Sequence, residues 1–117
     1  MRRFLTVSGL CLAAFIAGYN RVDKLIEVAP ASDAYNCIAF SIGQTDRWVQ
    51  GDLKEVFAEF ETCDEDQATI AVYSEYHAAR KIYGRWYSKM GKGPVVVHGL
   101  RDDAITQHYG QPVTFYH

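Results

Sequence analysis

Between Thr69 and His98 the chain reads as short β-branched or aromatic runs broken by glycine. "TIAVYS", "YHAARKIY", "RWYSKM" and "PVVVH" are each long enough for one strand, with Gly84 and Gly91-Lys92-Gly93-Pro94 between them. Such side chains fit a pleated, half-buried surface, and glycine or proline between two runs marks a turn. Breaks this short can join only antiparallel neighbours, because a parallel crossover needs about a dozen residues or more. "RDDAITQHYG" reads as a short helix or helical turn ending at Gly110, and "PVTFYH" closes the sheet as a last strand. The expectation is an antiparallel sheet of four to five strands.

Helical signals come earlier. "DLKEVFAEFE" has Asp52 as N-cap and Glu55 three residues later, a capping-box pattern. Leu53, Val56, Phe57 and Phe60 follow at i, i+3, i+4 and i+7, one apolar stripe that belongs in the core. Before it, "AYNCIAFSIG" follows the turn-like "VAPASDA" and suits a short buried helix beginning at Cys37 with Asn36 as its cap. Gln44 to Gly51 is a loop carrying Trp48. Helices first and a meander afterwards is an α+β order. A chain of 117 residues, 49% hydrophobic, is one domain and can bury a core without disulfide staples. We place that domain at 29–117, with 1–28 as an apolar N-terminal segment and lead-in.

"MRRFLTVSGLCLAAFIAGYN" sets two arginines before an uncharged, mostly apolar run from Phe4 to Tyr19. That is the layout of a secretory signal or membrane anchor, although the run is short against the ~20 residues of a comfortable span. Leu10 precedes Cys11 where a lipoprotein box needs a small residue. Export or membrane attachment is the expectation, with a packed helix in a cytoplasmic protein as the alternative.

The three cysteines, Cys11, Cys37 and Cys63, contain no C-x-x-C pair. This argues against a disulfide framework and a structural zinc site, and leaves a single Cys37–Cys63 bridge open in an exported protein. No Walker loop, dinucleotide fingerprint, H-E-x-x-H or EF-hand is present, so neither a metal nor a cofactor is expected. Net charge is −2, which is no general attraction for nucleic acid, yet Tyr76 to Arg101 holds six basic residues and no acidic one.

The chemistry-bearing residues form a candidate constellation. A thiol at a helix start becomes a nucleophile when a nearby imidazole takes its proton, and His77 lies near the start of a predicted strand. Cys37 is the candidate nucleophile and His77 its base, as a thiolate–imidazolium pair acting on an acyl carbon. The Cys37 N–H, with the Asn36 side chain, would form an oxyanion hole. Ser88 and His98 are the candidates to orient the imidazole. A hairpin tip at Gly84-Arg85 pairs Lys81 with Ser88, which leaves Ser88 out of reach of His77. Lys89 with Arg80 would recognise an anionic group, and Trp48 and Trp86 would line the substrate path. The expected partner is a peptide or other acyl substrate. A second class is open: Arg80, Lys81, Tyr83, Arg85, Trp86 and Lys89 interleave cations with aromatics, as a single-stranded polyanion binder would. A third is a non-catalytic, partner-binding domain with Cys37 as core.

The layout, cysteine on an N-terminal helix and histidine on the second strand of an antiparallel sheet, resembles papain-like and NlpC-like cysteine hydrolases. The chain also resembles a bacterial family of unknown function with the motifs Y-N-C-I-A-W, H-A-A-R, G-x-W-x-S-K-x-G and a later histidine. Here these stand as Tyr35 to Phe40, His77 to Arg80, Gly84 to Gly91, and His98. Phe40 replaces the usual tryptophan, the loop between Trp48 and Asp52 is shortened, and the apolar N-terminus is an addition. The resemblance implies a papain-like fold with a shared site of Cys37, His77, Ser88-Lys89 and His98.

Overall fold

The computed structural model describes residues 25–117. The signal or anchor expected over Phe4 to Tyr19, and Cys11 with it, lie outside the described residues. Among the described residues no helix is long and apolar enough to cross a membrane.

Six strands form one sheet: β1 (Ile26–Ala29), β2 (Ile70–Tyr73), β3 (His77–Ile82), β4 (Arg85–Lys89), β5 (Val95–His98) and β6 (Pro112–Tyr116). Their order is β1-β5-β4-β3-β2-β6, and every pairing is antiparallel. The fold is therefore α+β with six strands instead of four to five. The extra one is β1, in "IEVA", a stretch read above as lead-in. It is an edge strand on β5, and its burial does not alternate, since Ile26, Glu27 and Val28 are all exposed.

The helices divide between the faces. α1 (Cys37–Ser41) and α2 (Leu53–Val56) cover one face, where Ile38 and Phe57 pack on Ile70, Val72 and Ala78. α3 (Asp103–Tyr109) covers the other, where Ala104 and Ile105 pack with Ala71, Tyr73, Ala79, Trp86 and Val96. Asp52 is the N-cap of α2, as expected, but it accepts from Lys54 N–H and not from that of Glu55, and the helix stops at Val56. Phe57 and Phe60 still belong to the apolar cluster, packed edge to face with ring centroids 6.0 Å apart. The stripe was core; only its helical continuation failed, because turns can present the same side chains.

The β3–β4 hairpin differs from expectation in register. Lys81 pairs with Trp86 and Ile82 with Arg85, so the two corner residues are Tyr83 and Gly84, at φ 51° and 81°. Two successive positive φ values make a type I′ turn, whose twist matches the flanking strands. This shifts β4 by two residues against the pairing of Lys81 with Ser88, and brings Ser88 diagonally beside His77. Tyr83 is fully exposed and packs on nothing that offsets its left-handed backbone. Asparagine tolerates that region far better. Tyr83→Asn should therefore raise stability by about 1 kcal/mol. A urea midpoint equal to or below that of the parent would refute the turn assignment.

Candidate active site

α1 is anchored through the asparagine before it. Asn36 Oδ1 accepts from Ala39 N–H at 3.1 Å, closing the first turn, and from Val49 N–H at 3.2 Å. Its Nδ2 donates to Val49 O at 2.8 Å. One carboxamide thus caps the helix and ties down the loop after it. Its oxygen is already shared by two donors, and it is an anchor of the loop rather than a free donor. Trp48, on that loop, donates its indole N–H to Asp33 O at 2.6 Å and is 40% exposed.

Cys37, the first residue of α1, is 8% exposed and packs with Ile38, Val72 and Ala78. Burial raises its thiol pKa, against the opposing pull of the Ala78, Ile38 and Cys37 backbone N–H groups and of the Lys89 ammonium. The resting group is a thiol, not the thiolate expected from the sequence. Cys63 is also free, and it packs in the α3 layer. The sheet lies between the two sulfurs, so the Cys37–Cys63 bridge left open above does not form.

Alternation along β3 turns His77 to the α3 face, opposite the helix pair. The ring is fully buried, stacked on Tyr109 with centroids 3.8 Å apart and 8° between planes, with Tyr73 tilted beside it at 5.4 Å. Tyr73 is itself held by donation to Leu100 O at 2.5 Å. Ser88 Oγ lies 2.9 Å from His77 Nε2 and 2.7 Å from His98 Nε2. Both candidates for orienting the imidazole are therefore engaged, in series.

The proton positions in that series follow from its end. His98 Nδ1 is 2.7 Å from Gly99 O, which can only accept, so Nδ1 carries the proton. His98 Nε2 is then a lone pair and takes the Ser88 hydroxyl proton. Ser88 Oγ in turn accepts from His77 Nε2–H. His77 Nδ1 is left as a lone pair, buried and, among the described residues, without a hydrogen-bond partner. Burial, and secondarily the neighbouring His98, pushes the His77 pKa down to about 3. His98 is also lowered, by burial against the favourable Gly99 carbonyl and Asp102. The imidazole is neutral, which corrects the expected thiolate–imidazolium pair: two desolvated groups each take their uncharged form.

The remaining candidates are spread over several surroundings. Lys89 is fully buried; its ammonium donates to Ser32 O at 2.6 Å and Gly91 O at 2.5 Å, and lies 4.7 Å from the Tyr35 ring centroid. All three N–H groups are thereby directed at protein, which offsets the desolvation of the charge. Lys89 clamps the segment before Cys37 to the β4–β5 turn, a role the sequence pattern does not announce. Trp86 is core on the α3 face, with the Lys81 ammonium 5.5 Å from its ring centroid. Arg80 is on the helix-pair face, at the far end of α1. The cations and aromatics of the polyanion alternative thus fall on two faces and in the interior, not on one groove. Among the described residues no cluster of three His, Cys, Asp or Glu is placed to hold a metal ion.

A family model described as "Domain of unknown function (DUF7689)" matches residues 26–117. No curated protein and no solved structure matches the chain.

Proposed function

The chain belongs to this family of domains of unknown function, and we propose that it is a papain-like, cysteine-dependent hydrolase or acyltransferase acting on an amide or related acyl bond. The observation that carries the reading is the bare Nδ1 of His77. A buried polar atom without a partner costs about 1–3 kcal/mol, so it asks for an explanation. A base waiting for a proton is one. The chain of His98, Ser88 and His77 holds the ring in the tautomer that leaves Nδ1 open. The backbone N–H of Ala78, the next residue, is among the groups that favour the Cys37 thiolate, so the thiol meets β3 one residue from the base.

In the reaction, Cys37 Sγ adds to the acyl carbon as its proton passes to His77 Nδ1. The imidazolium then returns that proton to the leaving nitrogen or oxygen as the acyl bond breaks, leaving a thioester. Water, or an acceptor amine or alcohol, attacks the thioester; its proton goes to Nδ1 and from there to the departing thiol. The N–H groups of Cys37 and Ala78 are the available donors to the developing oxyanion. Because the resting pair is neutral and alternation turns His77 away from the helix-pair face, the reactive arrangement requires the first residue of α1 and the start of β3 to shift together, since a rotamer change of Cys37 alone does not carry its sulfur past the sheet.

The test is treatment with an acyl-directed electrophile followed by peptide mass mapping. An adduct on Cys37 that depends on His77 supports the enzyme. Modification confined to Cys63 overturns it. A second reading has its own observation: Cys37 is enclosed in the apolar cluster under the helix pair, as in a partner-binding domain whose cysteine is core. That reading expects no adduct at Cys37.

A further inference from the structure

On the helix-pair face, beyond the end of α1, lies a cleft of about 290 Å³. Its apolar wall is Ile42, Phe60 and Ile70, and Arg80, Thr69 and Lys81 border it. Among the described residues no acidic one lines it. Lys81 turns its ammonium to Trp86, so the cation available to the cleft is the Arg80 guanidinium. Gly43 makes room for that group: a Cβ there would stand 3.5 Å from Arg80 Nη1, at a backbone φ of 83°. Among the described residues the Arg80 guanidinium has no hydrogen bond, ion pair or ring contact, its backbone alone being paired in the sheet. A half-buried guanidinium with five donors and no acceptor, beside an apolar wall, is suited to bind an anion that carries an apolar group.

We infer that this cleft is a subsite for a carboxylate next to an apolar side chain, of the kind found at the C-terminus of a peptide. The planar fork of Arg80 matches the two carboxylate oxygens, while Ile42, Phe60 and Ile70 receive the side chain. The volume is at the low end for small-ligand sites, which run from about 300 Å³ upward, and suits a single terminal residue. Position ties the cleft to the proposed chemistry. Ala78, whose N–H approaches the Cys37 sulfur, and Arg80 are on one face of β3, two residues and therefore roughly 7 Å apart. A substrate bound by its terminal carboxylate would have an acyl bond close to its C-terminal end on the same face of β3 as Cys37. That last link rests on the cysteine reading; the binding of the carboxylate does not.

The experiment is an NMR titration of the full chain with N-acetyl-leucine and, separately, with its carboxamide. The acid should bind at least ~10-fold more tightly than the amide, the ratio expected when one charge-assisted pair of hydrogen bonds is lost. Shifts should centre on Ile42, Ile70 and Arg80. Arg80→Gln should erase the preference, and Arg80→Lys, which keeps the charge but loses the fork, should retain only part of it. If Arg80→Gln fails to fold, the Arg80→Lys comparison decides. Equal binding of acid and amide, no binding of either at millimolar concentration, or a preference that survives Arg80→Gln overturns the subsite. A preference that disappears with Arg80→Gln while Cys37 resists every electrophile keeps the subsite and removes the hydrolase.

Discussion

Acidification from pH 6.5 to pH 3 should cost the fold roughly 5 kcal/mol through His77 alone, taking its value of 6.5 when unfolded and about 3 when folded. The unfolded chain binds the proton first. Stability is therefore complete above pH 6.5 and falls as the pH drops toward 3, by about 1.4 kcal/mol per unit. His98 is shifted the same way and steepens the loss. Against a total stability of about 5–15 kcal/mol for a domain, this is enough to unfold it or bring it close. His77→Phe keeps a ring against Tyr109 and removes the titration. Chemical denaturation at several pH values should show a slope about one proton shallower in that variant between pH 6 and pH 4. A parent whose stability is flat over that range, or a variant with the same slope, would show that His77 protonates freely in the folded state.

Loss of covalent labelling is the second large effect. With an acyl-directed electrophile at pH 8, Cys37→Ser should reduce modification of that site to background. His77→Ala should slow labelling of Cys37 by about 100-fold or more, the usual contribution of a positioned base. The pH dependence separates two forms of catalysis. A thiolate–imidazolium pair would already react at pH 6, whereas the shifts in this site give a neutral pair. The rate at Cys37 should then climb through the alkaline range, and simple alkylation at pH 6 should not favour Cys37 over the less buried Cys63, since burial raises both thiols. Labelling of Cys37 that ignores His77 would mean the relay has no part in the chemistry, and a plateau reached by pH 6 would mean that the resting pair is charged instead of neutral.

Much of this arrangement was legible in the residues. Asn36 as a cap, Cys37 as the first helical residue and Gly110 as the end of α3 each follow from local stereochemistry, and the structure has all three. The strand runs from β3 to β5 were legible because Gly84 and Gly91 to Pro94 separate them. What sequence reasoning missed depended on pairing. β1 forms because β5 offers an unpaired edge, information that is not local to "IEVA". The series of His77, Ser88 and His98 hinges on a two-residue shift of register. The signal that could have found it was Tyr83-Gly84 itself: one residue before a glycine, between aromatic strands, suits a type I′ turn better than Gly84-Arg85. Lys89 was unreadable as a clamp, because its acceptors are backbone carbonyls, and any residue has one.

The strand order carries a consequence for how the domain assembles. β2 to β5 are joined by short loops, so their contacts are local, and His77, Ser88 and His98 all belong to them. The two outer strands are docked from far along the chain, β1 by pairing Ile26 with Val97 and β6 by pairing Ile70 with Tyr116. Closing long loops is slow relative to forming hairpins, so the central meander can form before either edge is added. α1, which brings Cys37, arrives with the first of those long closures. On the proposed reading, the base would be built early and the nucleophile delivered late. Pulsed hydrogen exchange would show this as protection of Ala78 and Ser88 amides ahead of that of Ala39, and simultaneous protection would mean one concerted step.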